Sequence, residues 1–405
     1  MPGEGRINVR SSIHSARLVS GGMITADAWV AFEAGVVRAV GTGNSWRDLG
    51  GEPGVVTDAR AAWLMPGFID LHCHGGGGRA FEEGTEASLR ALEVHGHHGT
   101  TRLLVSLVTA SQFDLERRLG VVAELAAENP RFLGAHLEGP FLQHKFRGAH
   151  DSRLIQAPDR AALERLLMAG KGFVRQVTLA PELPGAVELI SELVGVGVIA
   201  AVGHTAANFD QSLAAFDAGA AVLTHAFNAM PGIHHRAPGP VIAAIRSAHV
   251  TLELINDGVH VHPEIVRFTF DNAPSRIALI SDAMAATDAP DGNYQLGSLP
   301  VLVTGGIARL RDGVTIAGST ITLDAALRRG VLDVGLPITD VVTALTETPA
   351  RTIGRSHDLG RLNVGYIADA VLLNNQLRVT RVFVAGKEIP GFGEVGFGLA
   401  AGTLK

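Results

Sequence analysis

The sequence predicts an α/β protein: a (β/α)8 barrel with a small β-sandwich domain built from both chain ends. Three observations lead there. Through the middle of the chain, short runs rich in Val, Ile and Leu alternate with longer amphipathic stretches, the pattern of repeated β–α units. Histidines, carboxylates and other polar residues gather at the ends of those runs, where a barrel forms its mouth. Both ends of the chain read instead as short β segments broken by glycine-rich turns.

The end segments fall at 15–18, 28–32, 36–40 and 55–58, and again at 370–373, 381–385 and 386–389. Neither end alone has enough alternating strand to bury a core, so 1–63 and 361–405 are expected to pair around an inserted 64–360 barrel. The expected barrel strands are 67–74, 102–108, 132–138, 176–181, 198–204, 222–228, 251–257 and 276–282. Amphipathic stretches at 113–128, 159–169, 186–195 and 211–218 supply helices between them. A doubly wound sheet would carry a glycine-rich turn leading directly from its first strand into a helix; here the glycines at 75–78 follow two histidines.

Composition narrows the function. The chain has 405 residues, 46% hydrophobic and 18% charged, which excludes a disordered segment. A net charge of −6 with scattered basic residues argues against nucleic acid or an anionic membrane as partner. Neither an apolar run long enough to span a bilayer nor a secretory leader in residues 1–10 is found, so a soluble cytoplasmic protein is expected. One cysteine excludes an intramolecular disulfide and Cys-based metal clusters. With 17 histidines, any bound metal would be held by imidazole and carboxylate.

His72 and His74 are two apart on a strand and share one face, a spacing that suits a pair of metal ligands as well as two packed histidines. Cys73 between them points the other way and reads as a small buried residue. Glu138, His204 and His225 end three further strands; one carboxylate and two imidazoles match a three-ligand catalytic metal site with an open position for water. Each histidine taken singly fits a structural role, and it is their shared placement that favours metal. Asp282, in Ile280-Ser281-Asp282-Ala283-Met284, reads either as a helix N-cap or as an acid/base that takes a proton from water and returns it to a leaving amine. His95, His97 and His98, in or just after a helix, read as solvent-facing or capping. The chain has four lysines and none at the end of the fourth strand, which argues against a carboxylated lysine bridging two metals and leaves Glu138 as the bridging candidate.

These residues carry a resemblance. Segments 66–75 (Pro-Gly-Phe-Ile-Asp-Leu-His-Cys-His-Gly), 136–141 (His-Leu-Glu-Gly-Pro-Phe), 203–205 (Gly-His-Thr), 225–230 (His-Ala-Phe-Asn-Ala-Met) and 281–284 (Ser-Asp-Ala-Met) resemble the motifs of the N-acetylglucosamine-6-phosphate deacetylase family, within the amidohydrolase superfamily. The resemblance runs from about residue 18 to 387, in the family's order; the Glu138 and Asn228-Ala229-Met230 motifs are its specific part.

The resemblance implies a cytoplasmic homodimer that hydrolyses the acetamide of an amino-sugar 6-phosphate, with a divalent metal, Zn²⁺ by expectation, at one or two ions per subunit. It implies Glu138, His204 and His225 as main ligands, His72 and His74 as a pair for a second ion, and Asp282 as catalytic acid/base. It places Ala149, His150, Asn228, Ala229, Arg236, His260 and Ile321 on the substrate, Arg236 as the best phosphate partner, with Arg147 beside it. His150 is expected to help stabilise the developing oxyanion. A cyclic-amide hydrolase or deaminase, and a metal-binding sensor that has lost catalysis, are the competing classes.

Overall fold

The computed structural model describes residues 10–49 and 53–390. The leader reading of residues 1–10 falls almost wholly outside them, as does Lys405. The barrel consists of β1 (Phe68–Cys73), β2 (Thr100–Val108), β3 (Phe132–Glu138), β4 (Val174–Leu179), β5 (Ile199–Val202), β6 (Val222–Leu223), β7 (Thr251–Ile255) and β8 (Ile277–Ile280). These eight strands form one sheet in chain order, and each neighbouring pair is parallel. The circle closes where Asp282 N–H donates to His72 O at 2.8 Å and Cys73 bridges Ala283.

Every residue of β1, β2 and β3 is buried, as expected of strands covered on both faces. Helices lie between the strands, and their sequences explain their ends. Ser111, Asp159 and Asn208 cap Gln112–Glu128, Arg160–Ala169 and Phe209–Asp217 by accepting from Asp114, Ala162 and Gln211 backbone N–H groups. The last helix starts two residues before the expected 211 because Asn208 is its cap. Ala186–Gly195 buries Ala186, Leu189, Ile190 and Leu193, a one-sided stripe facing the barrel.

Strands from both chain ends meet in a second sheet of eight strands. Trp63–Pro66, absent from the expected strands, is the join: it runs parallel to Arg10–Ser20 and antiparallel to Ala370–Leu373. Ile13, Val30, Phe32, Leu64, Leu372 and Phe383, drawn from both ends, share one core. A buried ion pair, Arg102 Nε to Asp369 Oδ2 at 2.7 Å, ties β2 to this sheet. Also unforeseen is an antiparallel three-stranded sheet, Gly292–Leu296, Leu299–Thr304 and Ile307–Leu310, which follows β8. Among the described residues no helix is long and apolar enough to cross a membrane.

The solvent-facing reading of His95 and His97 is wrong, because the helix that carries them, Thr85–His97, turns them into the packed layer: both are buried. His98 is half-buried between two carboxylates, Nδ1 at 3.0 Å from Asp324 Oδ1 and Nε2 at 3.9 Å from Asp288 Oδ2. Burial pulls its imidazole down, but Asp288 and Asp324 outweigh burial and hold it up at about 9. A group raised in the folded state stabilises fully below its unfolded value near 6.5, and that contribution disappears as pH rises through about 9. Wild type should therefore exceed His98→Gln by about 2 kcal/mol near pH 6 in chemical denaturation, and most of that margin should vanish at pH 10. An equal margin at both pH values contradicts a charged His98.

Candidate metal centre and active site

Six of the eight barrel strands end earlier than the sequence suggests, β6 by five residues and the others by one or two, and three of the candidate site residues lie in the turns that follow. β5, β6 and β8 stop at Val202, Leu223 and Ile280. Two residues on, His204, His225 and Asp282 have φ of 47°, 28° and 47°, left-handed values uncommon for residues with a Cβ. This backbone turns each side chain back over the barrel mouth. Glu138 instead ends β3, and His72 and His74 lie at and just beyond the end of β1.

The side chains converge on Glu138. Its Oε1 is 3.1 Å from His204 Nε2, 3.0 Å from His225 Nε2 and 3.4 Å from His72 Nε2. Its Oε2 is 3.4 Å from His74 Nε2 and 3.3 Å from His150 Nε2. Asp282 Oδ1 completes the group, 3.3 Å from His74 Nε2 and 3.5 Å from His72 Nε2. All are buried. Two local groups, His72–His74–Asp282 and Glu138–His150–His204, each bring their ligand atoms within 4.8 Å of one another.

Hydrogen bonds behind the rings show which nitrogens are free. His204 Nδ1 lies 2.9 Å from Phe146 O and His74 Nδ1 3.2 Å from Ser106 O; a carbonyl only accepts, so both Nδ1 atoms carry the proton. Their Nε2 lone pairs then face the cluster. Across it, Nε2 atoms meet in pairs at 3.0 Å, His72 with His74 and His204 with His225. In each pair one ring, His74 or His204, turns a lone pair inward beside a buried carboxylate, a donor set that fits a metal.

The electrostatics agree. Burial pushes the Glu138 carboxyl up, but His72 and His150 outweigh it and hold Glu138 well below the usual carboxylate range. Burial pulls His72 down, yet Glu138 and Asp282 raise it well above the ordinary imidazole value. The cluster attracts positive charge.

His150 is arranged differently. Thr109 presents its backbone N–H at 3.3 Å and its hydroxyl at 2.9 Å to His150 Nδ1. Because Nδ1 accepts from the Thr109 backbone N–H, the ring proton sits on Nε2 and points into the site. His150 is thus a hydrogen-bond donor beside the candidate ligands.

A cavity of about 270 Å³ opens over the cluster, lined by His74, Glu138, His150, His204, His225 and Asp282. Ala149, Asn228, Ala229 and His260 line it too, the last held by Asp257 Oδ2 at 2.7 Å from its Nδ1. Gly318 approaches so closely that a Cβ there would meet Asp282 O at 2.9 Å, and its φ is +63°. Ile321 is buried three residues further on and is not among the lining residues. Arg236 and Arg147 are exposed and outside the lining, held by His235 Nε2 and His144 O. Among the described residues no lysine lines the cavity, and Lys171 pairs with Glu124 on the surface.

Sequence reasoning missed two parts of the site. One is the wall formed by Leu296, Val314, Thr315 and Ile316, from the unforeseen three-stranded region. The other is a buried polar network under the cluster. His136 joins Ser106 Oγ at 2.9 Å and Thr178 Oγ1 at 2.8 Å, Thr178 joins Thr224 at 2.9 Å, and Glu253 lies 3.3 Å from His72. A glutamate in the middle of the apolar run Thr-Leu-Glu-Leu-Ile was the available signal.

A barrel that gathers imidazoles and carboxylates at the ends of β1, β3, β5, β6 and β8 defines a class, and comparison with known proteins agrees. Residues 63–389 match the amidohydrolase family model, and the chain belongs to the amidohydrolase family. It is 37% identical to an N-acetylgalactosamine-6-phosphate deacetylase of Escherichia coli O157:H7, covering 83% of this chain and 90% of that protein. It is 34% identical to an N-acetylglucosamine-6-phosphate deacetylase of Vibrio furnissii, covering 80% and 82%. Among solved structures it resembles a variant N-acetyl-D-glucosamine-6-phosphate deacetylase from Mycobacterium smegmatis in complex with N-acetyl-D-glucosamine-6-phosphate, with TM-score 0.88, 40% identity, and coverage of 94% of this chain and 99% of that one.

Proposed function

We propose that this chain hydrolyses the acetamide of N-acetylglucosamine 6-phosphate to glucosamine 6-phosphate and acetate. The observation that carries the reading is the Glu138-centred donor cluster with Asp282 and the His150 donor in one cavity. The names of its relatives supply the substrate class. The N-acetylgalactosamine 6-phosphate epimer is a second reading, favoured by the 37% identical relative that bears its name.

Glu138, His204 and His225 would hold a divalent ion, Zn²⁺ by their nitrogen and oxygen donors, and His72 with His74 a second. When bound, such an ion supplies Lewis acidity toward the amide carbonyl and lowers the pKa of water toward ~7. Asp282 takes the proton from the attacking water as the C–O bond forms, and gives it to the amine as the C–N bond breaks. Burial pushes its carboxyl up, but His72 and His74 bring it below the ordinary range, so it starts as a base. His150 Nε2–H donates to the carbonyl oxygen as negative charge develops there. Ala149, Asn228, Ala229 and His260 orient the sugar, and Ile321 backs the acetyl end. The phosphate is remote from the scissile bond, so its binding energy positions the substrate.

Arg236 enters as phosphate partner on the resemblance, and a homodimer working in the cytoplasm is inferred on the same ground. Arg236→Ala is expected to raise KM for the phosphorylated sugar about tenfold or more while barely altering that for N-acetylglucosamine. Unchanged discrimination between the two removes Arg236 from the site. Acetate release from these two sugars tests the whole reading; equal kcat/KM for both counts against it.

A further inference from the structure

Glu253 sits in the middle of β7, fully buried beneath the cluster. Among the described residues its carboxylate meets two side chains. Oε1 accepts from Gln176 Nε2 at 2.8 Å, and Oε2 lies 3.3 Å from His72 Nδ1. No arginine or lysine pairs with it among the described residues; His72 is its one ion-pair partner there. An ionised carboxylate in such a place is costly unless positive charge lies close by.

The contact decides what His72 can do. Glu253 Oε2 is the acceptor behind the ring, so His72 Nδ1 carries the ring proton and donates it there. The Nε2 lone pair is then left facing His74 Nε2 at 3.0 Å, Glu138 Oε1 at 3.4 Å and Asp282 Oδ1 at 3.5 Å. Without an acceptor behind it, the ring can turn its proton toward the cluster and lose that lone pair. His74 and His204 have backbone carbonyls in the equivalent position, which fix the ring and add no charge. Of His72, His74, His204 and His225, His72 alone has a carboxylate behind its Nδ1 among the described residues.

We propose that Glu253 is a positioning residue that makes His72 a ligand, and that it thereby sustains a second divalent ion at His72, His74, Glu138 and Asp282. A purely structural glutamate here would be replaceable by glutamine, which can keep hydrogen bonds to both Gln176 and His72. The proposal rests on the metal-centre reading of the site and not on the identity of the substrate.

The test titrates metal-stripped full-length protein with Co²⁺, following the visible absorption of the ion and resolving the ions by competition with a chelator. Wild type is expected to bind two ions per chain. Glu253→Met, which removes the acceptor, should weaken the second by about 10- to 100-fold and leave the first within about threefold. Glu253→Gln, close in shape and the safeguard should the Met variant fail to fold, should weaken the second ion to a smaller extent. A folded variant, Met or Gln, that binds both ions as wild type does overturns the proposal, and so does equal weakening at both sites. A wild type that binds a single ion overturns it too. A wild type that binds no ion overturns the metal-centre reading along with it, which separates the two failures.

Discussion

Asp282→Asn should lower kcat for acetate release by about 10³- to 10⁴-fold while leaving the ion at Glu138, His204 and His225 in place. The residue is buried, its carboxylate lies 3.3 Å from His74 Nε2, and it is fixed by a left-handed backbone at the closure of the barrel. Asparagine keeps its size and removes the carboxylate that accepts a proton and passes it on. The backbone contacts that hold position 282, its N–H to His72 O and its O from Ser319 N–H, survive the change. Metal content by elemental analysis and turnover by acetate release should therefore separate. Near-normal turnover in a folded, metal-loaded variant removes Asp282 from proton transfer.

Glu138→Gln should abolish both. Five imidazoles, from His72, His74, His150, His204 and His225, lie within 3.4 Å of its two oxygens. Taking away this charge removes the group that all of them face. Affinity for the divalent ion should fall by at least about 100-fold, and turnover at saturating substrate by about 10³-fold or more. Added metal should restore only part of it. Asp282→Asn with metal and no turnover, beside Glu138→Gln with neither, would distinguish proton transfer from ligation. Retention of wild-type metal affinity by Glu138→Gln would place the ligands elsewhere.

The barrel is legible in the sequence because its strands are short apolar runs and its helices carry one-sided stripes and cap residues, all local features. The ligand set is legible for a related reason: an imidazole or carboxylate two residues past an apolar run has little reason to be there unless the mouth uses it. Strand ends are overestimated at His204, Asn228 and Asp282 because no local signal announces the left-handed residues that stop β5, β6 and β8 early. Other features depend on distant packing. The wall at 314–316 comes to the cavity because Leu296, Val301 and Ala317 pack against Met284 and Ala285. His95 and His97 are read as surface residues from their helix alone, and the sheet and the chain ends around them bury both. His95 Nε2 bonds Gly75 O at 2.9 Å, a partner twenty residues away. Glu253 is visible as a charge within an apolar strand, but its partner is visible only once β1 and β7 share a barrel.

The central claim is that one buried cluster does the chemistry of an amino-sugar phosphate deacetylase. It is tested most directly by incubating metal-loaded and chelator-stripped protein with N-acetylglucosamine 6-phosphate and quantifying acetate and free amine together. The account predicts equimolar acetate and amine from the loaded protein, none from the stripped protein, and recovery when a divalent ion is returned. Metal-loaded protein that releases no acetate from this sugar or its 4-epimer, or stripped protein that releases it undiminished, would contradict the account.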